Sequence, residues 1–369
     1  MKTRAAVLWD MGQDWKIEEV ELDDPGAGEV LVKTKVAGMC HSDEHMVTGI
    51  DPMFPMIGGH EGSGVVLEVG PGVTAVEVGD HVAMSFIPSC GRCRYCSTGQ
   101  QALCDLGAKA FETGMIADGR QAHTIGDTAI NTFAKLGTFA EHMLLNESSV
   151  VKIEPDLPFA PAALVSCGVA TGWGSAVHRA EVQPGDTVVV IGCGGVGMNS
   201  VQGAKMSGAK RVIAVDPVEF KREKAQEFGA TQTFTSMEEA IEEIPGITWG
   251  QGADKVILTV GVADGSMVAP AMSMLGKGGT LVVTSIANML ESDAQLSLFD
   301  LAMLNKEIKG TIFGSGNPKF DIPNLLSMYR EGTLKLDELI TREYTLDQVN
   351  EGYQDMRDGK NIRGVIVFD

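Results

Sequence analysis

Residues 187–197 decide the fold, and they read TVVVIGCGGVG. The apolar run Thr187–Ile191 predicts a short buried strand, and the glycines after it predict a tight turn into a helix. Gly192, Gly194 and Gly197 have the spacing G-x-G-x-x-G. In that pattern the first glycine permits the turn, the second lets the backbone approach a pyrophosphate, and the third allows the helix to pack closely on the strand. The stretch therefore predicts a dinucleotide site.

The chain around and beyond these glycines supplies further cofactor candidates. Gly195 and Val196 lie inside the turn, at the N-terminus of the predicted helix, where phosphates would bind. Asp216 ends the next predicted strand, and an acidic residue there accepts a hydrogen bond from a ribose 2′-hydroxyl and repels a 2′-phosphate. Lys221 and Arg222 would bring positive charge to the same place, and Lys221 is also a cofactor candidate. NAD is therefore favoured over NADP, and the alternative role for Asp216 is a helix N-cap.

Beyond this motif, apolar strands and helices alternate. A charged amphipathic helix is predicted at Glu219–Phe228. Buried apolar strands that alternate with helices are typical of a parallel, doubly wound sheet, that is, a Rossmann domain. Further strands are predicted at Arg211–Val215, Lys255–Val260, Thr280–Ser285 and Ile308–Phe313.

The residues before this region are mainly β-like. Val30–Val36 and Gly64–Val69 are rich in β-branched residues, with Gly and Pro between such runs. The tail ends in the strand-like Val365–Phe368, and we expect it to fold back onto the first region. The predicted fold is therefore α/β, with a doubly wound parallel-sheet domain and a discontinuous, mainly β domain. The predicted boundaries are 1–168 and 312–369 for the β domain and 169–311 for the sheet domain.

The composition is that of a globular chain, since 44% of the 369 residues are hydrophobic and 21% are charged. The net charge of −20 would repel phosphate backbones and anionic lipid, so neither nucleic acid nor a membrane is an expected partner. We expect no signal peptide at Met1–Asp14 and no membrane-spanning run, and hence a cytoplasmic protein. Seven cysteines, four of them crowded together, favour metal ligation over a disulfide framework.

The crowded cysteines have the spacing C-x₂-C-x₂-C-x₇-C. A closed set of four thiolates is typical of a structural zinc site, which would serve folding rather than chemistry. An iron–sulfur cluster is the alternative, but the proline expected after the last cysteine is absent, since that residue is Asp105. The four predicted ligands, in a lobe of about residues 88–106, are Cys90, Cys93, Cys96 and Cys104.

A second set of metal-ligating residues is dispersed along the chain. Cys40, His60 and Cys167 would form a shell of two thiolates and one imidazole, which leaves one position open for water or substrate, as in catalytic zinc sites. These residues are far apart in sequence, so spacing alone leaves a second possibility open. Cys40 and Cys167 could equally be buried apolar residues.

Several stretches in this order resemble the zinc-dependent alcohol dehydrogenases of the medium-chain dehydrogenase/reductase superfamily. The likeness covers essentially the whole chain and is strongest to an actinobacterial-type subgroup that depends on the artificial acceptor dimethyl-nitrosoaniline. Trp9–Gln13 and Cys40–His45 suggest that subgroup. The other matching stretches are Gly58–Gly62, the Cys90–Cys104 lobe, Cys167–Val177, the glycine motif and Asn361–Arg363.

The resemblance implies a GroES-like β domain and a role for each dispersed residue. Cys40, His60 and Cys167 would bind a catalytic zinc ion, which Glu61 could approach from behind. Further cofactor contacts would come from His41, Thr171 and Arg363. In the subgroup, NAD stays bound between turnovers, which implies an external electron acceptor, and relatives assemble as homo-oligomers.

The implied reaction is reversible hydride transfer from a primary alcohol to NAD. Zinc lowers the pKa of bound water from 15.7 to about 7 and should act similarly on an alcohol. Ser42 would accept the proton, and the resemblance implies a relay through the cofactor ribose to His45, which we expect to reach solvent. The alternative for Ser42 is a helix N-cap. Phe86 and Trp173 would form an apolar substrate wall, or could be core aromatics, and the natural alcohol is not deducible.

Two other functions remain open. Relatives that oxidise S-(hydroxymethyl)glutathione bind its carboxylate with an arginine four residues past the last lobe cysteine, where this chain has Ala108. That departure disfavours the glutathione-linked reaction, in which NAD dissociates. A non-enzymatic zinc module is the other alternative, and the second metal set and the charge of −20 argue against it.

Overall fold

A computed structural model describes residues 1–48, 53–288 and 292–369. The chain forms two compact units: Met1–Cys167 together with Asn317–Asp369, and Gly168–Gly316. Residues 312–316 thus lie in the second unit, whereas the sequence placed them in the β domain. The physical reason is close packing at Gly314, where a Cβ would come within 2.7 Å of the carbonyl oxygens of Ala170 and Thr171.

The N-terminal part of the first unit is built from short strands in two sheets. One is six-stranded, in the order β8-β7-β2-β1-β4-β9, and the other contains β11, β6, β5, β3 and β10. The strands are β1 (Lys2–Leu8), β2 (Lys16–Leu22), β3 (Glu29–Gly38), β4 (Met56–Ile57), β5 (Glu61–Val69), β6 (His81–Met84), β7 (His123–Ile125), β8 (Thr128–Ala129), β9 (Asn131–Thr132), β10 (His142–Asn146) and β11 (Val150–Lys152).

Helices are short in this part of the chain. The α-helices are α1 (His41–Thr48), α2 (Arg94–Ser97) and α3 (Phe159–Leu164). The 3-10 helices are Gln101–Leu103, Gly107–Phe111, Phe133–Lys135 and Glu147–Ser149. Because α1 follows β3 after two residues, the N-terminus of this helix lies at the end of a central strand.

The second unit contains a six-stranded sheet in the order β14-β13-β12-β15-β17-β19, in which every neighbouring pair is parallel. All five residues of its central strand β12 are buried, as the apolar run predicted. The strands of this unit are β12 (Thr187–Ile191), β13 (Arg211–Val215), β14 (Gln232–Phe234), β15 (Ala253–Leu258), β16 (Val262–Ala263), β17 (Leu275–Val283), β18 (Ile286–Ala287) and β19 (Glu307–Gly310).

Helices connect these strands, and the predicted parallel α/β architecture is confirmed. The α-helices are α4 (Ala170–Gly174), α5 (Gly195–Met206), α6 (Glu219–Glu227), α7 (Met237–Ile247), α8 (Val268–Ser273) and α9 (Leu298–Met303). Two π-helical turns, Val165–Val169 and Ser175–Arg179, flank α4, and two 3-10 helices are Gly265–Met267 and Phe313–Ser315.

The C-terminal tail returns to the first unit, as expected. Its elements are α10 (Pro318–Arg330), β20 (Ile340–Tyr344), α11 (Val349–Arg357), β21 (Arg363–Val367) and the 3-10 helices Asp337–Leu339 and Leu346–Gln348. β21 pairs antiparallel with β3, with Val365 opposite Gly38. This pairing brings Arg363, at the start of β21, to the end of β3 where Cys40 follows.

One helical run, Phe159–Arg179, is long and apolar enough to cross a membrane by length and composition alone. Of its most apolar window, 83% is buried within the protein. A core helix passes the same test, and this burial is what a core helix shows.

Candidate metal and nucleotide sites

The dispersed cysteines and histidine come together in the first unit. Cys40 follows β3, and His60 immediately precedes β5. The antiparallel pairing of these two strands, with Gly38 opposite Glu61, places their ends side by side. Cys167 lies in the π-helical turn after α3. One ligand atom from each of Cys40, His60, Glu61 and Cys167 lies within 4.8 Å of all the others.

His60 is held in the orientation that a metal ligand needs. Its Nδ1 lies 3.2 Å from Oδ1 of Asp43, which also accepts the N–H of Gly59 at 2.9 Å. Because an ionised carboxylate can only accept, Nδ1 carries the proton in this bond. Nε2 is buried and has no hydrogen-bond partner among the described residues. An outward lone pair on a buried imidazole nitrogen fits a cation.

Negative charge surrounds this imidazole. Burial lowers the pKa of His60, but the Asp43 carboxylate and the Cys40 thiolate outweigh burial and raise the pKa well above its ordinary value. A hydrogen bond from the Cys167 thiol, with smaller help from His60 and Arg363, lowers the pKa of Cys40 well below the usual range. The same hydrogen bond and burial raise the pKa of Cys167. These shifts favour a thiolate at Cys40 and a neutral thiol at Cys167, which would lose its proton when a metal ion binds.

Glu61 completes the cluster from the inner side. It is fully buried and pairs with Arg363, which also donates to the carbonyl of Met39 at 3.2 Å. Burial raises the pKa of Glu61, and Arg363 opposes that shift. The resemblance implied that Arg363 contacts the cofactor. In the structure the guanidinium binds the cluster carboxylate and the backbone, and the cofactor contact stays a prediction.

The two relay candidates lie on α1. The hydroxyl of Ser42 is 3.7 Å from the sulfur of Cys40. The helix begins at His41, so Ser42 lies in the first turn rather than at the N-cap. His45 is only 6% exposed, and its Nε2 has no partner within the described residues. The expectation that His45 reaches solvent is therefore wrong for this chain, because α1 turns Asp43, His45 and Met46 inward.

Aromatic rings flank the imidazole of His60. Phe86, a predicted wall residue, meets it edge-on with ring centroids 5.6 Å apart. Phe133 meets it in the same way at 5.3 Å, and no sequence motif marks that residue. Trp173, the other predicted wall residue, is buried in the second unit, where its ring lies 5.2 Å from that of His178.

The crowded cysteines form a second cluster, whose sulfurs all lie within 4.8 Å of one another. Backbone N–H groups point at these sulfurs, for example Cys93 N to Cys90 Sγ at 3.4 Å and Cys90 N to Cys104 Sγ at 3.5 Å. Backbone hydrogen bonds, chiefly from Asp105 and Cys96, lower the pKa of Cys93 to about 7, whereas burial raises that of Cys104 to about 12. Four convergent sulfurs fit a closed tetrahedral zinc shell.

The glycine turn joins β12 to α5 in the second unit. Gly192 has a φ of +93°, which favours glycine. A Cβ at Gly197 would lie 1.8 Å from the carbonyl oxygen of Gly192, so close packing requires this glycine. A Cβ at Gly194, the N-cap of α5, would meet no atom within 4 Å. That open space at a helix N-terminus fits a pyrophosphate.

Asp216 is tied to the glycine turn. Its carboxylate accepts the N–H of Cys193 at 2.8 Å and that of Val218 at 2.9 Å. The N-cap of α6 is Val218, so Asp216 lies before the helix rather than at its cap. Arg222 donates to the carbonyl of Asp216 at 2.8 Å and therefore does not neutralise the carboxylate directly.

The remaining cofactor candidates lie at different places. Lys221 is half-buried in the first turn of α6, whereas Gly195 and Val196 are the first two residues of α5. The Oγ1 atom of Thr171 is buried in the second unit without a partner among the described residues, which leaves it available to a ligand. His41 is exposed at the start of α1 in the first unit.

Comparisons with known proteins match the whole chain. A family model for the alcohol dehydrogenase GroES-like domain matches residues 26–155, and one for zinc-binding dehydrogenases matches residues 195–331. The chain is 52% identical to the NDMA-dependent alcohol dehydrogenase of Amycolatopsis methanolica, over 100% of this chain and 99% of that protein. It is 50% identical to alcohol dehydrogenase B of Mycobacterium tuberculosis, with the same coverage.

Solved structures give the same result. The benzyl alcohol dehydrogenase of Acinetobacter calcoaceticus aligns with a TM-score of 0.93 and 31% identity, over 100% of both chains. An alcohol dehydrogenase zinc-binding domain protein of Burkholderia ambifaria aligns with a TM-score of 0.93 and 29% identity, over 100% of this chain and 99% of that one.

Proposed function

The chain belongs to the zinc-dependent alcohol dehydrogenases of the medium-chain dehydrogenase/reductase superfamily, and we propose that it oxidises primary alcohols with an NAD molecule that stays bound between turnovers. Zinc and NAD are the cofactors of this NAD-linked enzyme, and its substrates are small alcohols and aldehydes. The observation that carries the assignment of the reaction centre is the convergence of Cys40, His60 and Cys167 around one point.

Cys40, His60 and Cys167 would hold the catalytic zinc ion, which makes a bound alcohol more acidic and polarises a bound aldehyde. The two thiolates neutralise the 2+ charge, so a neutral substrate can bind and leave. Asp43 keeps the proton of His60 on Nδ1 and so leaves Nε2 free to bind. Arg363 holds the Glu61 carboxylate on the inner side of the site.

We propose that two side chains of α1 remove the proton of the alcohol. We assign Ser42 as the first acceptor of the alcohol proton, because its hydroxyl lies beside Cys40. We assign His45 as the next proton acceptor, because its buried Nε2 has no partner among the described residues. Water or an ordered hydroxyl group has to connect the two.

When bound in the second unit, NAD would supply the hydride acceptor for the reaction. The glycine turn would bind the pyrophosphate through Gly192, Gly194, Gly195, Val196 and Gly197, with Thr171 and His41 as further contacts. Asp216 would accept the ribose hydroxyl, and its negative charge would disfavour a 2′-phosphate. Lys221 would lie near the same ribose.

The second zinc ion would be structural. Cys90, Cys93, Cys96 and Cys104 fill all four positions of a tetrahedral shell, so no place remains for a substrate. The bond from the N–H of Cys96 to the sulfur of Cys93, at 3.4 Å, is part of a network that stabilises thiolates. Loss of this zinc is expected to unfold the lobe and leave the dispersed cluster formed.

Retention of NAD is supported by the 52% identity with an NDMA-dependent enzyme. The test is the absorbance of dialysed protein after an alcohol is added without NAD. The expected result is a reduced-nicotinamide band equivalent to about one NADH per chain, followed by its loss when an artificial acceptor is added. Protein that stays silent until NAD is supplied contradicts retention. An external electron acceptor, a small molecule or a redox protein, is implied by retention.

Phe86 and Phe133 flank His60 and would form an apolar substrate wall in the first unit. We propose an apolar primary alcohol, aromatic or aliphatic, as the substrate. The glutathione-linked reaction is not favoured, because Ala108 replaces the arginine that would bind the glutathione carboxylate. Formaldehyde oxidation that requires glutathione would contradict this choice.

We also propose that the chain forms a homo-oligomer in the cytoplasm. Leu298, Phe299 and Met303 on α9 are at least 65% exposed, which is unusual for large apolar side chains so close together, and β19 is an edge strand. Sedimentation of wild type should give a dimer or larger. Phe299→Asp should shift it toward monomer, whereas Phe320→Asp, on an exposed ring of the first unit, should not. Seven free cysteines suit a reducing compartment.

A further inference from the structure

A buried tyrosine lies beside the carboxylate that holds His60. Tyr353 on α11 is 1% exposed, and its hydroxyl has no hydrogen-bond partner in residues 1–48, 53–288 and 292–369. Asp43 is fully buried, and its Oδ2 has no partner within the same ranges. Contacts of α11 on both sides of Tyr353, from Gly352 to Met39 and from Arg357 to Glu44, bring Tyr353 to the segment that carries Asp43. Burial, and after it the Asp43 carboxylate, raise the pKa of Tyr353 well above its ordinary value, which agrees with this placement.

A buried donor and a buried acceptor that both lack a hydrogen bond destabilise a protein interior. A buried polar group without a partner loses its hydrogen bonds to water without replacement, which is most unfavourable when the group is charged. One hydrogen bond from the Tyr353 hydroxyl to Oδ2 of Asp43 would satisfy both atoms. A tyrosine hydroxyl can rotate its hydrogen toward an acceptor without moving the ring.

Aromatic packing fixes the ring of Tyr353. Trp15 stacks on it with ring centroids 6.2 Å apart, and Phe139 contacts it at the same distance on a tilted plane. Trp15 and Phe139 also meet edge-on at 5.8 Å. The hydroxyl is therefore presented in one direction by a rigid three-ring cluster.

The helix that carries Tyr353 is pressed against the metal site. A Cβ at Gly352 would lie 2.6 Å from the sulfur of Met39, the residue before Cys40, so α11 packs closely against this residue. Arg357, one turn further along α11, pairs with Glu44 on α1 at 2.7 Å. These two contacts on either side of Tyr353 hold α11 against Met39 and against α1.

We infer that Tyr353 is a positioning residue for the catalytic metal: its hydroxyl donates to Oδ2 of Asp43, which leaves Oδ1 for the N–H groups of Gly59 and His60. The inference rests on the proposed function, since it assumes that His60 binds zinc through Nε2. With both oxygens engaged, the carboxylate has one orientation, and so has the imidazole. Mutation of residues that hydrogen-bond to metal ligands and orient them typically lowers metal affinity by 10–100-fold.

The experiment measures zinc release to a chromophoric chelator from the zinc-loaded Tyr353→Phe enzyme. This substitution removes one hydroxyl and keeps the ring. We expect the zinc at Cys40 to leave about 10-fold faster than in wild type, while the zinc of the Cys90 lobe leaves at an unchanged rate. Tyr344→Phe is the matched control, because its buried hydroxyl bonds Asp355 at 2.9 Å instead of a site residue, and neither rate should change.

A double-mutant cycle separates positioning from general structural damage. In the Asp43→Asn background, Tyr353→Phe should have no further effect on zinc release, because the acceptor that the hydroxyl orients has already changed. Equal rates for Tyr353→Phe and wild type, or an equal acceleration in both backgrounds, would overturn the inference. If the phenylalanine variant fails to fold, 3-fluorotyrosine at position 353 replaces it. This stronger donor should slow release, and an unchanged or faster rate overturns the inference.

Failure of the two proposals can be told apart. If wild type holds zinc only in the Cys90 lobe, the proposed function fails. If wild type holds two zinc ions and the Tyr353 variants release both at the wild-type rate, the proposed function stands and the positioning role fails.

Discussion

At the scale of single residues, Asp216 combines a structural and a proposed recognition role. Its carboxylate accepts two backbone N–H groups beside the glycine turn. Asp216→Asn keeps the shape but removes the charge and one acceptor. We expect NAD to bind at least about 10-fold more weakly and the preference over NADP to fall, since a charged hydrogen bond contributes about 1.5–3 kcal/mol. Equilibrium binding of the two nucleotides to nucleotide-stripped protein measures both.

Asp254→Asn is the control for this substitution. Asp254 also accepts a backbone N–H, that of Thr187 at 2.7 Å, but this residue lies at the other end of β12. Its replacement should leave the nucleotide preference unchanged. The same loss of preference in both variants would mean that Asp216 acts through stability alone.

Residues with a distinctive chemistry could be predicted, and their partners could not. Cys40 and Cys167 stand out because a thiol has few roles, and the resemblance linked them to His60. Asp43 lay inside the quoted stretch Cys40–His45, yet its bond to His60 spans 17 positions and exists only because β3 and β5 pair. Phe133 lies in an irregular stretch next to a residue with a φ of +51°, where no periodicity marks a buried ring.

At the scale of elements, two glycines of the β12–α5 turn allow the effect of a substitution on folding to be distinguished from its effect on NAD binding. A Cβ at Gly194 meets open space, so Gly194→Ala should leave the free energy of unfolding within about 1 kcal/mol of wild type. The same methyl group would occupy the approach of the pyrophosphate, so the NAD content of the purified protein should fall at least several-fold. Wild-type NAD content in a folded Gly194→Ala protein would contradict the assigned phosphate site.

Gly197→Ala is the complementary variant. Its Cβ would lie 1.8 Å from the carbonyl oxygen of Gly192, so the turn must distort. Overpacking of this kind costs about 1–3 kcal/mol or more. Thermal unfolding should detect the loss even in protein stripped of nucleotide. An unfolding temperature equal to that of Gly194→Ala would show that close helix–strand packing does not depend on this glycine.

Elements with a strong local pattern could be predicted to within a few residues. Thr187–Ile191 and Arg211–Val215 are strands with the predicted bounds, and the predicted helix Glu219–Phe228 ends one residue earlier. Later strands were predicted with shifted bounds. The strand predicted at Thr280–Ser285 begins at Leu275 in the structure, and glycines such as Gly278 and Gly279 interrupt the apolar pattern in its first half. The order of strands within the β sheets depends on long-range pairing and left no local signal.

At the scale of the whole molecule, a buried histidine predicts how stability varies with pH. Burial, with the nearby Arg120 guanidinium, lowers the pKa of His123 to about 4 from an ordinary value of 6.5. The unfolded chain binds a proton below about pH 6.5, whereas the folded chain binds it only below about pH 4. Folding stability therefore falls as the pH falls from about 6.5 to 4, and this contribution is absent above that window.

His123→Leu should remove this dependence. The difference in the free energy of unfolding between the variant and wild type should shift in favour of the variant by about 1 kcal/mol between pH 7.5 and pH 5.5. Urea unfolding at the two pH values measures it. A constant difference would show that the side chain is not buried as a neutral imidazole.

The most direct test of the account is the zinc content of freshly purified wild type and of Cys40→Ser, measured by mass spectrometry of the metal against protein concentration. The chain has two convergent ligand clusters, so the predicted result is two zinc ions per chain in wild type and one in the variant. The zinc ion that remains in the variant should be bound by the Cys90 lobe. It should therefore stay bound when exposed thiols elsewhere in the chain are alkylated. One zinc ion in wild type, or two in Cys40→Ser, would contradict a catalytic zinc site at Cys40, His60 and Cys167.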